Sequence, residues 1–94
     1  MLKELPLSFE GVGEVKGYVF RQLHVSSDAY IYEKKNVDTG LISYEVFRRK
    51  ENDRFGCVSY PSSKSFGKWA WECVTYQRAL NRFFDLNMSV KCSN

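Results

Sequence analysis

The chain has 94 residues and a mass of 11.0 kDa, a length that holds one hydrophobic core and therefore one domain, 1–94. With 44% hydrophobic and 27% charged residues, the composition excludes disordered, fibrous and membrane-spanning classes. A net charge of +3, concentrated in residues 34–68, permits a phosphate-binding surface but does not demand one.

The first nine residues carry Lys3, Glu4 and Pro6 and no apolar run of signal-peptide length, so the expectation is a cytoplasmic protein. Cys57, Cys73 and Cys92 form no C-x-x-C pair and fit reduced thiols. Residues 1–13 read as an N-terminal arm. Gly11, Gly13 and Gly17 precede a strand, whereas phosphate loops follow one and open a helix, so they mark no nucleotide site.

Residues 15–25, rich in β-branched and aromatic side chains, read as the first strand. Ser26, Ser27 and Asp28 turn the chain into a second, Ala29–Lys35. Val37-Asp38-Thr39-Gly40 fits a type I turn closed by a left-handed glycine, leading into Leu41–Arg49. Asn52-Asp53 supplies the next hairpin turn and Phe55–Tyr60 the next strand, which Pro61 ends. After a serine-rich loop, Lys68–Cys73 alternates as a half-buried strand does.

Trp69, Cys73, Tyr76, Leu80 and Phe83 also align on one helical face, so a long helix over 68–86 competes with that strand. Thr75 as an N-cap, with Trp71 and Val74 off the stripe, favours the strand and a helix over 75–86. Tyr76, Ala79, Leu80, Phe83 and Phe84 form its apolar face, and Asn87 terminates it before a tail of 87–94. The fold class expected is α+β: an antiparallel β-meander of four to five strands over 15–74, followed by one C-terminal helix packed on one face.

If the 37–40 hairpin pairs even residues with even, Tyr30, Tyr32, Ile42, Tyr44 and Val46 share the helix-covered face. Ala29, Ile31, Glu33, Lys35, Ser43, Glu45, Phe47 and Arg49 then share the other, joined by Val58 and Tyr60. One helix covers one face, so the apolar centre Ile31, Phe47, Val58 and Tyr60 needs a second cover and is the candidate interaction face. The cover is the chain's own Leu2, Leu5, Leu7 and Phe9, a second copy of the chain, or a binding partner.

Catalytic chemistry finds little to work with. His24 sits in a strand with no Ser or Cys beside it to activate, and with the cysteines it lacks the short knuckle of a zinc site. The carboxylates are scattered. No catalytic residue, cofactor or metal is expected, and the chain reads as a non-enzyme. Lys34, Lys35, Arg48, Arg49, Lys50 and Arg54 interleave with Tyr32, Tyr44 and Phe47, the mixture of cations and rings with which sheets hold single-stranded nucleic acid.

Tyr44-Glu45-Val46, the stretch Tyr60-Pro61-Ser62-Ser63-Lys64-Ser65-Phe66-Gly67-Lys68-Trp69-Ala70-Trp71, and Ala79, Arg82 and Phe83 resemble small uncharacterised proteins of phages, prophages and other mobile elements. The resemblance spans residues 42–86 and implies the strand-then-helix arrangement; it implies no activity. The functional expectation is a protein-interaction or inhibitor module of a mobile element, partnered by a protein or by a second copy. The alternative is a nucleic-acid-binding accessory using the basic, aromatic sheet surface. Neither involves a membrane or a metal.

Overall fold

The computed structural model describes residues 3–52 and 54–92, with side chains as far as Asn87. Its strands are β1 (Ser8–Glu10), β2 (Tyr18–Val25), β3 (Ala29–Asn36), β4 (Ile42–Arg48), β5 (Glu51–Asn52), β6 (Cys57–Val58) and β7 (Ala70–Cys73), followed by the helix α1 (Tyr76–Cys92). The architecture is α+β: a five-stranded antiparallel sheet in the order β1-β2-β3-β4-β7, with α1 packed against it.

Two of the expected strands change places. The fifth strand of the sheet is Ser8–Glu10, from the segment read as an arm, which pairs with β2 through Phe9↔Phe20. Residues 57–58 instead pair with 51–52 in a separate two-stranded ribbon. The edge of β4 that they were to occupy is taken by β7, with Phe47 opposite Ala70. Of the expected Asn52-Asp53 turn, Asp53 lies outside the described residues, and the chain reverses through Arg54–Gly56 with Gly56 at φ 62°. Residues 49–69 thus leave the sheet, cross one of its faces and return beside the strand they left.

The β3–β4 hairpin fixes which side chains share a face. Gly40 takes φ 76°, the left-handed conformation that its position requires. The Asn36 carbonyl accepts its N–H at 2.8 Å, and Asn36 Oδ1 accepts the N–H groups of Asp38 and Thr39 at 2.9 and 3.0 Å. The loop closes on Asn36 opposite Leu41, so even residues face odd ones: Tyr30↔Phe47, Ile31↔Val46, Tyr32↔Glu45. This corrects the expected parity by one residue. Tyr30 and Tyr32 leave the helix-covered face for that of Phe47 and Glu45, and Ala29 and Ile31 join Val46 beneath the helix.

Lys68–Cys73 resolves in favour of the strand. Thr75 caps the helix as expected, its Oγ1 accepting the Arg78 N–H at 3.2 Å. The helix runs on through Asn87, whose Oδ1 accepts the Ser26 hydroxyl at 2.7 Å, so this side chain joins helix to turn rather than ending the helix. Its buried stripe is Ala79, Phe83 and Leu86. Phe84, one position and about 100° round from Phe83, is 56% exposed, which corrects its place on the packing face.

Two apolar layers result. On the helix side Ala29, Ile31 and Val46 meet Ala79, Phe83 and Leu86, with Leu23, Tyr44, Trp71 and Leu80 around them. On the other side Phe20, Tyr30, Tyr32, Phe47, Val58 and Ala70 lie beneath Leu5, Phe9, Val15, Tyr60 and Phe66.

Candidate functional site

Of the four interaction-face candidates, Phe47, Val58 and Tyr60 come together, whereas Ile31 lies beneath the helix. The register accounts for Ile31, and chain crossing rather than strand pairing accounts for Tyr60. The Tyr60 ring meets Phe47 edge-on at 4.9 Å and Tyr32 at 5.3 Å. This face does not open to solvent, because the chain's own N-terminal segment covers it. Phe9 stacks on Phe20 at 4.7 Å and Leu5 packs beside it. Leu7 is exposed, and Leu2 lies outside the described residues.

Polar ties hold that segment down. The Arg49 guanidinium grips both oxygens of Glu4, with Nη2 to Oε2 at 2.6 Å. The Tyr30 hydroxyl donates to the same carboxylate at 2.8 Å and accepts from Arg49 Nη1 at 2.8 Å. Tyr32 donates its hydroxyl to the Pro6 carbonyl. Arg49, and then Tyr30, hold the Glu4 carboxyl at about 2, while burial and the bond to Glu4 push Tyr30 up to about 12. Arg49, expected as a nucleic-acid contact, is therefore engaged within the fold and has Glu51 on its Nε as well.

Lys34 is likewise occupied. Its Nζ lies 3.6 Å from Glu45 and 3.3 Å from Glu72, and 4.6 Å from the centre of the Tyr18 ring. Glu45, only 4% exposed, accepts the Tyr60 hydroxyl at 2.7 Å. Burial raises the Glu45 carboxyl above its ordinary value against the pull of Tyr60 and Lys34. At Lys34 burial works downward, but Glu45 and Glu72 outweigh it and raise the ammonium. A cavity of about 530 Å³ opens beside this network between Val12, Glu14 and the 61–66 loop. One ammonium is shared by two carboxylates of the sheet, and the Tyr60 hydroxyl on Glu45 ties the chain entering that loop to the sheet. Sequence reasoning gave Glu45 no such role; the available signal was one carboxylate in the apolar run Tyr44-Glu45-Val46-Phe47.

His24 stacks near Tyr76, shares a hydrogen bond with its hydroxyl, and touches the Phe83 ring at 5.9 Å. Cys57 and Cys73 are free thiols, half-buried. Among the described residues no three His, Cys, Asp or Glu side chains converge to hold a metal, and no helix is long and apolar enough to cross a membrane.

Two surfaces remain. The first is the end of the helix-side face at the start of α1, where Tyr76 of the helix packs on Tyr44. Register aligns Val19, Lys35 and Ile42 in one row and Arg21, Glu33, Tyr44 and Cys73 in the next. Ile42 is 43% and Tyr76 40% exposed, and the Tyr44 and Tyr76 rings lie 5.7 Å apart. Arg21 and Glu33 pair at 3.4 Å at the border. Lys35 belongs to this face, apart from the other basic candidates.

The second surface is the opposite end of the molecule, where the β5–β6 ribbon projects. Lys50 Nζ stands 5.2 Å over the Trp69 ring, and the Arg54 guanidinium 5.3 Å over Phe55. Arg48, half-buried, ends β4 at the same edge, with its N–H on the Trp69 carbonyl at 2.9 Å. The six basic candidates thus divide among internal ties, the helix-side face and this end. No protein-family model matches the chain, and no curated protein or solved structure is similar to it.

Proposed function

We propose that the protein is a protein-binding module that docks its partner on the end of the helix-side face around Ile42 and Tyr76. The observation that carries this reading is the pair Ile42 and Tyr76, 43% and 40% exposed, at the end of that face where the row Val19, Lys35 and Ile42 lies beyond the buried stripe of the helix. Apolar side chains interspersed with charged ones, here Glu33 and Lys35 on the middle strand β3 and Arg21 on β2, are the mixture a protein interface presents. Strand addition is the weaker route, since the edge strands β1 and β7 are three and four residues long and β7 carries Glu72. The occupant is a different protein rather than a second copy. Lys35 sits in the same row as Val19 and Ile42, so two-fold packing of the face on itself sets like charges near the axis. Inhibition follows where docking covers the partner's working surface, as expected of a mobile-element module.

The test compares proteins retained from a host extract by the wild type, by Ile42→Lys and by Tyr76→Ser, after circular dichroism shows all three folded. A partner held by the wild type and lost from both variants supports the reading; equal retention by the variants overturns it. Light scattering separates the occupants. A species of 11.0 kDa supports a different protein, and a concentration-dependent dimer abolished by Ile42→Lys assigns the face to a second copy instead.

A further inference from the structure

We propose that the ribbon end of the molecule, β5–β6 with Trp69 beneath it, binds single-stranded nucleic acid, independently of the helix-side face. The ribbon is short but firmly mounted. The Lys3 N–H donates to the Gly56 carbonyl at 2.8 Å, the Val58 N–H to the Lys3 carbonyl at 2.9 Å, and the Ser59 N–H to the Lys50 carbonyl at 2.8 Å. Its turn lifts Phe55 into solvent, 70% exposed, with the Arg54 guanidinium against the ring. At its base Lys50 covers half-buried Trp69 in the same way.

The charge balance here favours an anion. Glu4 and Glu51 at the root of the ribbon both bind Arg49, which leaves Asp28 beside Arg49 and, in sequence, Asp53 as the acids to set against the cations. Among the described residues Lys3, Lys50, Arg54 and Lys68 have no ion-pair partner, and all four are exposed. Two rings that each carry a cation match the alternation of base and phosphate along a single strand, each base stacking on a ring and its phosphate meeting the cation. A duplex hides its base faces, and strands of two residues present neither the helix nor the long ribbon that fills a major groove. An acidic peptide supplies charge but no flat faces for Phe55.

The experiment is fluorescence anisotropy of a labelled mixed-sequence single-stranded oligonucleotide titrated with the full chain over a range of salt. A duplex of the same sequence and poly-glutamate serve as competitors. Single-strand binding is expected to weaken with salt, at a log–log slope of about −3 when all four cations meet phosphates. Lys50→Glu with Arg54→Glu is expected to weaken it at least about tenfold and flatten that slope. Phe55→Ala is expected to weaken it by about 5-fold to 100-fold with the slope unchanged, since stacking carries no counterion release. Phe55 and Arg54 are exposed turn residues, so these variants keep the fold, checked by their thermal midpoints. No binding at low salt, equal competition by duplex or poly-glutamate, or full affinity in Phe55→Ala overturns the proposal. Ile42→Lys is expected to bind the oligonucleotide as the wild type does, which separates this surface from the helix-side face.

Discussion

The two faces of the sheet are closed by different physics. On the helix side a regular stripe, Ala79, Phe83 and Leu86, rests on Ala29, Ile31 and Val46, and the polar ties, His24 to Tyr76 and Ser26 to Asn87, lie outside that stripe. On the other side the cover is irregular chain, the N-terminal segment and residues 58–66, and three tyrosines between cover and sheet have polar ties. Tyr30 binds Glu4, Tyr32 binds the Pro6 carbonyl and Tyr60 binds Glu45. An irregular segment has no repeating stripe with which to fix its position, so tyrosine hydroxyls and a guanidinium fork fix it instead.

That difference is testable from its largest expected effect downward. Phe47→Ala removes the ring on which Tyr30, Tyr32, Tyr60 and Trp69 converge; the expected loss is about 3–5 kcal/mol by urea unfolding. A loss below about 1 kcal/mol breaks the comparison, because the irregular cover would then be collapsing into the gap. Thr75→Ala removes the helix cap and is expected to lower stability by about 1 kcal/mol, with hydrogen exchange quickening in the first turn of α1 and not in β1.

The smallest effect is the most local. Glu4 is held at about 2, against an ordinary 4.5, so its contribution is complete above pH 4.5 and is lost as pH falls through about 2. Hydrogen exchange of β1 is therefore expected to quicken across that window while α1 stays protected. Glu4→Gln is expected to give quick β1 exchange already at neutral pH and to remove the acid dependence. Unchanged β1 exchange in Glu4→Gln would show that strand pairing and packing hold the segment without this tie.

The same asymmetry governed what the sequence made legible. The β3 and β4 strands, the turn ending at Gly40, β7 and the Thr75 cap all follow from local patterns, and the structure bears them out. Pairing parity did not follow. Asn36 and Leu41 close the loop one residue away from the expected pairing, and no local preference distinguishes the two registers when Tyr30-Ile31-Tyr32 is apolar on both sides. Ser8–Glu10 gave no strand signal because three residues owe their conformation to β2 rather than to propensity. At the candidate surfaces, residue type was legible and availability was not. Lys34 and Arg49 look like Lys50 and Arg54 in sequence, and only the fold brings Glu72 to the first and Glu4 to the second.

The excursion of residues 49–69 between two neighbouring strands also gives the two pairings of β4 different closure costs. The β3–β4 hairpin closes over 37–41, whereas β7 reaches β4 only after closing a loop about four times as long, which adds on the order of 1 kcal/mol of closure entropy. Strands β2, β3 and β4 can therefore form first as a meander of local contacts, with β7 and the helix arriving as a second unit. At that stage Phe47 and Tyr32 are already paired with their strands but bare above. The landing of Tyr60 on Glu45 and of Glu4 on Arg49 is then the step that turns a half-dressed sheet into the finished protein.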